Sequence, residues 1–238
     1  MMSARWIGAR GMMLSKRTAL GISLGAIVLY WMIQIAMEGS GHPLPDHFSE
    51  LIFRIVRNKL LVMATIVLLL RLEGETIAGL GVVRRDWIPH VGMGLVIGLV
   101  MFIALNVALA AVMRALVPDP PLAGPSIMSF FKQPGNLLIW LPIGIFGGGV
   151  VEELQRIFIV TRFEAWLGRP GLVLGVTLSS AMFGYGHLYQ GLGAAMGTAV
   201  SGLVFALVYL RRRSALEPIT AHAFSDVLAM LGATMIAR

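Results

Sequence analysis

The chain has 238 residues, 57% of them hydrophobic and only 13% charged, with a mean hydropathy of +0.82; a soluble domain carries roughly 25% charged residues, so this one is built for lipid. The formal charge of +7 comes from 19 Lys and Arg scattered along helix flanks rather than gathered in a stripe, which fits membrane orientation and argues against a nucleic-acid partner. No Cys is present, which excludes a disulfide framework and a thiolate metal site.

Counted against the ~20 residues a helix needs to cross the hydrocarbon layer, seven spans are predicted. They cover about 18–37, 51–72, 88–117, 135–166, 171–189, 192–210 and 217–236. An eighth arises if 72–87 or 121–134 dips into the membrane. The expected fold is therefore all-α, a polytopic integral membrane helix bundle. It forms a single domain over 1–238, with N-terminal spans in 1–134 and a core in 135–236.

The first span follows Arg5, Arg10, Lys16 and Arg17. It is longer than a secretory h-region of roughly 7–15 residues and lacks a small-x-small cleavage site before Glu38, so it reads as a retained helix. Span two carries Arg54, Arg57 and Lys59 in its first half, expected to snorkel along one face or to line a wet groove. After span three, Pro118, Pro120, Pro121 and Pro125 exclude a continuing helix. Span four would be roughly 48 Å long at 1.5 Å per residue, so it is expected to tilt, protrude or break near Gly147–Gly149. In span six, Gly193, Gly197 and Ser201 repeat every fourth residue, a small-xxx-small pattern that allows close helix approach. Lys and Arg concentrate in 1–17, 73–87, 162–170 and 211–216. The positive-inside rule then puts the N-terminus in the cytoplasm and the C-terminus outside.

Span four also carries Glu152, Glu153 and Arg156 behind Gly147, Gly148 and Gly149. An ionisable group in the middle of a membrane helix costs at least ~2.5–3.5 kcal/mol and marks a functional site by default. Glu152 and Arg156, four apart, share a helix face and can pair; Glu153 points about 100° away. Two carboxylates in one low-dielectric site do not both ionise easily, which leaves either a base and an acid or one paired and one free carboxylate. A simple ion pair that fixes packing is the bland alternative. His187 closes span five, and His222 and Asp226 share a face of span seven. Imidazole takes a proton or a metal, and a carboxylate one turn away orients it. His42, His47 and His90, at span edges or in loops, are expected to be solvated. For His187 and His222 to share a site, span six must be steeply tilted or broken, or its turns must lie elsewhere.

These motifs together, Glu152-Glu153 with Arg156, Phe183-x-x-x-His187 and His222-x-x-x-Asp226, resemble the CPBP family. That family comprises type II CAAX prenyl endopeptidases and bacterial bacteriocin-processing or immunity proteins. The likeness covers about 135–236 and includes Ser179–Gly184 and His187–Gly191. It implies that Glu152 activates water with help from His187, that Glu153 and Arg156 support the site, that His222 and Asp226 complete it and stabilise an oxyanion, and that Phe183 shapes the pocket. It leaves open whether Glu152, His187 and His222 hold a divalent metal such as zinc or work by general base catalysis alone.

One departure stands out: the family pattern is Glu-Glu-x-x-x-Arg, and here only Leu154 and Gln155 separate Glu153 from Arg156. If the glutamates keep register, Glu152 is the base. If the arginine keeps it, Glu152 takes the second-glutamate place and Val151 the catalytic one. Because the first register keeps both carboxylates, the expected function is an intramembrane endopeptidase. It would cut a membrane-associated or lipidated peptide or protein, in contact with membrane lipid, in a bacterial inner membrane. The rivals are a non-catalytic immunity or scaffold protein of the same fold and a proton-coupled transporter.

Overall fold

In the computed structural model, residues 14–39, 45–82, 85–109, 111–112, 115, 130 and 134–236 are described. Among them there are seven long helices and no strand. These are α1 (Lys16–Gly39), α2 (Phe48–Leu72), α3 (Trp87–Leu109), α4 (Leu137–Leu167), α5 (Arg169–Tyr185), α6 (Leu192–Arg212) and α7 (Leu216–Ile236). Each matches one expected span to within a few residues; the end of the third, and the stretch 121–134 apart from Phe130 and Pro134, lie outside the described residues. Among the described residues, the possible extra dip at 72–87 holds between α2 and α3 a single 3-10 turn, Ile77–Leu80.

Four helices, α1, α3, α4 and α6, are long and apolar enough to cross a membrane by length and composition. The other three are shorter or carry charge for a reason. α2 brings Arg54, Arg57 and Lys59, α5 has 17 residues, and α7 bears Glu217, His222 and Asp226. Large apolar side chains such as Leu60, Phe146, Leu138 and Val173 stand exposed, as befits helices solvated by lipid rather than by water.

α4 neither breaks nor ends at its glycines. It runs on as a π-helical segment, Ile143–Glu152, before returning to α-helical pitch at Glu153. Missing side chains there let α7 come close: a Cβ on Gly149 would lie 2.6 Å from Ala223 Cβ and 3.0 Å from the Ile219 carbonyl. Gly144 meets Met230 and Gly149 meets Ala223, so α4 and α7 run antiparallel. The close seam on α6 is not the expected Gly193, Gly197 and Ser201. Ala195 and Ala199 meet Gly184, and Gly202 meets Phe183 and Ser180 of α5, while Gly197 faces Leu109 of α3. The small-residue stripe is real, but rotated by a residue or two from the strict repeat.

One end of the bundle is tied by ion pairs. Arg162 of α4 pairs with Glu73 and, at 2.8 Å, with Glu75; Ser23 of α1 donates to Glu73. Arg213 forms a fork on Glu164 at 2.6 and 2.7 Å. His90 Nδ1 lies 2.7 Å from Glu217, which Arg212 also contacts at 3.1 Å. His90, expected in solvent, is therefore buried: its position at the start of α3 lies against the start of α7. His47 is exposed and His42 lies outside the described residues. Segments 73–87, 162–170 and 211–216, grouped on one side by charge, thus share one end of the molecule.

Candidate active site

The polar residues of the core meet where α2, α4, α5 and α7 converge. Glu153 is fully buried and pairs with Arg156, one turn on. The pairing of Glu152 with Arg156 that the four-residue spacing allowed does not form. Both carboxylates lie within reach of Arg156 along the helix, and the rotation of α4 turns Glu153 inward. Glu152 instead accepts from Lys59 of α2, the residue that sequence reasoning left as one of three cations on a wet face. The other two go elsewhere: Arg54 pairs with Glu50 at 2.5 Å and Arg57 lies over the Phe53 ring at 5.7 Å.

His222 is held by its Nδ1, which donates to Glu153 at 2.7 Å. Its Nε2 looks toward Glu152 and Asp226, each at 3.7 Å. The ring stacks on Phe205 at 5.1 Å and meets the edge of Phe183 at 5.9 Å. His187 sits just past the end of α5, where its Nδ1 donates to the Phe183 carbonyl at 2.7 Å. With Nδ1 committed as donor, the neutral ring presents Nε2 as an acceptor. The Phe183 ring touches His187 at 4.8 Å and carries the Arg156 guanidinium at 4.3 Å. One aromatic ring is thus the common wall for both imidazoles and the arginine, and His187 lies within electrostatic reach of Glu152.

The two histidines meet although α6 between them is an unbroken helix. His187 lies in the turn region after α5 rather than within the helix, where a short 3-10 turn, Leu188–Gln190, leads into α6. Its placement in the turn answers the requirement that the spans had posed.

Exposure separates the two glutamates. The Glu152 side chain is 15% accessible, Lys59 24% and Asp226 33%, whereas Glu153 is 0%. The centre thus has a sealed half, Glu153–Arg156–His222, and an open half, Glu152, Lys59 and Asp226. Counted along α4, Glu152 lies about 15 Å from Arg162 at the ion-paired end, well within the thickness of a bilayer.

The metal reading does not fit this arrangement. A zinc site needs several lone pairs converging on one point, and no three His, Asp or Glu among the described residues are so disposed. Glu152 already faces the Lys59 ammonium, a cation on the carboxylate that would have been a ligand.

The architecture is that of an integral membrane helix bundle with a buried carboxylate–histidine centre. Residues 134–228 match the family model described as Rce1-like, type II CAAX prenyl endopeptidase Rce1-like. No curated protein and no solved structure matches the chain. The resemblance carried by the motifs is borne out over that stretch, which holds every site residue named from sequence and supports an intramembrane CAAX-type endopeptidase at the level of the family. Lys59 lies outside it.

Proposed function

We propose that the protein is an intramembrane endopeptidase in which Glu152 is the general base and no metal takes part in the steps. The observation that carries this reading is the gathering of Glu152 and Asp226 at His222 Nε2, with His222 and His187 sharing the Phe183 ring and Glu152 on the open side. A carboxylate with one oxygen tied and one free accepts a proton from a water positioned against it. That water attacks the scissile carbonyl carbon. His187 Nε2, left as an acceptor by the bond of Nδ1 to the Phe183 carbonyl, shares the handling of the proton. The tetrahedral oxyanion needs a donor, and His222 supplies it from Nε2 as an imidazolium: Nδ1–H is held by Glu153, and the carboxylates of Glu152, Glu153 and Asp226 around the ring favour its doubly protonated form. Collapse of the intermediate transfers the proton to the leaving amine and returns Glu152 to its charged form.

The division of labour between the glutamates favours the first of the two registers. Glu153 takes the arginine and stays sealed, and Glu152 keeps the open place. Asp226 flanks His222 and orients it, and Phe183 forms the wall against which a substrate side chain packs. The substrate class is a membrane-associated or lipidated peptide or protein tail, because the open half of the centre lies within the bilayer and lipid-facing helices surround it. The membrane is a bacterial inner membrane, with 1–134 supplying N-terminal spans and 135–236 the core.

The test is cleavage of a lipidated peptide by purified protein in nanodiscs. Glu152→Gln and His187→Ala should each lower kcat by ~10²–10⁴-fold with an unchanged helical circular-dichroism spectrum. Wild-type rates in both variants would sink the proposal, and partner binding that persists without any cleavage by the wild type would favour a scaffold.

A further inference from the structure

The second helix brings a cation into the centre that no motif announces. Lys59 Nζ donates to one oxygen of Glu152, and the lysine stem runs along Gly147, where a Cβ would sit 3.7 Å from both Cγ and Cε. The groups facing Glu152 are few. From α7 come His222, with Nε2 at 3.7 Å, and Asp226 beyond it; from the end of α5 comes His187; on α4 itself stand Glu153 and Arg156. Of the two permanent cations in the centre, Arg156 is committed to Glu153. Three carboxylates and one engaged arginine do not let all three carboxylates ionise in a low-dielectric site. His222 is shared with Glu153 and Asp226, and the permanent charge left to hold Glu152 as an anion is Lys59, which donates to it directly.

We propose that Lys59 is the positioning residue of this centre: it keeps Glu152 charged and ties one carboxylate oxygen, leaving the other to face the reacting water. Its catalytic consequence rests on the peptidase reading above; its hold on the charge of Glu152 does not. An ammonium suits this role because it is a compact point charge on a flexible stem, able to stay with one oxygen while the other gains and loses a proton.

The experiment uses the full chain in nanodiscs, with Lys59→Met, Lys59→Arg and, should Met impair folding, Lys59→Gln. Infrared difference spectra first locate the Glu152 carboxylate by its loss in Glu152→Gln. At neutral pH that signal should be ionised in the wild type and in Lys59→Arg, and protonated in the neutral variants. In lipidated-peptide cleavage, Lys59→Met should lose ~100-fold in kcat with little change in KM. The acidic limb of its pH–rate profile should move to higher pH, and Lys59→Arg should restore both rate and limb. Glu152 remaining ionised in the neutral variants would overturn the proposal. So would a loss of rate with an unmoved limb that Arg fails to rescue, which marks a packing role. If Glu152→Gln leaves cleavage intact, the peptidase reading fails while the infrared comparison still decides the ion pair.

Discussion

Glu153 sits in the interior with no solvent to share its charge; Arg156, its permanent counter-charge, and the Nδ1–H of His222 make that tolerable. Removing one partner of a buried ion pair leaves an uncompensated charge, at a cost of roughly 3–5 kcal/mol. Arg156→Ala is therefore expected to lower the thermal unfolding temperature sharply, and Glu153→Gln made on top of it should recover part of the loss, since the stranded charge is gone. Full independence of the two substitutions would contradict the pairing. The sequence could name both glutamates and the arginine as special, from their cost in lipid, but not which glutamate the arginine would take. Positions three and four apart both lie on its side of a helix, and the choice is made by the turn of α4 against α7. Lys59 was harder still. It lies 93 residues from Glu152, among three cations at similar spacing, and only the tertiary fold singles it out.

The α4–α7 contact makes a graded prediction among glycines of one element. A methyl on Gly149 meets Ala223 Cβ and the Ile219 carbonyl of α7, neither of which can yield without moving the helix. A methyl on Gly144 meets mainly the end of Met230, a flexible side chain. Gly149→Ala should cost ~1–3 kcal/mol in unfolding and displace His222, reducing cleavage, whereas Gly144→Ala should stay near wild type in both. Similar losses at the two positions would show that helix propensity rather than helix approach is being measured. The spans themselves were legible because twenty apolar residues read the same in any context. The π-helical pitch of Ile143–Glu152 was not. A segment with an extra residue per turn directly precedes a Glu-Glu-x-x-Arg interval that is one residue short, so the phase of the two carboxylates is set by helix pitch, which residue counting assumes constant.

Across the molecule, the segments 73–87, 162–170 and 211–216, rich in Lys and Arg, gather at one end among the described residues, joined by Arg162–Glu73, Arg213–Glu164 and His90–Glu217. Charge asymmetry predicts that this end faces the cytoplasm. Because the wild type has no Cys, single-cysteine variants report topology without further engineering. Arg211→Cys should react with an impermeant maleimide only in inverted vesicles, and Gly135→Cys only in right-side-out ones; the reverse pattern would invert the orientation. The side-sharing of these segments was legible from charge alone, while the burial of His90 was not, because a histidine at a span edge looks solvated until the neighbouring helix is placed.

The reach of Lys59 across the bundle also bears on how the protein is made. Ribosomes deliver α2 long before α4, and until Glu152 emerges the Lys59 ammonium has no carboxylate to meet. A lysine at mid-helix costs ~2.5–3.5 kcal/mol on insertion scales, and Arg54 and Arg57 add to it, so α2 is poorly suited to enter lipid by itself. Its final transmembrane position becomes a late event of biogenesis, completed when α4 arrives. Chains truncated after α3 should leave a glycosylation or cysteine tag at 73–76 on the wrong side or at the interface, and extension through α4 should bring α2 into register; full insertion of the truncated chain would show that α2 commits to the bilayer unaided.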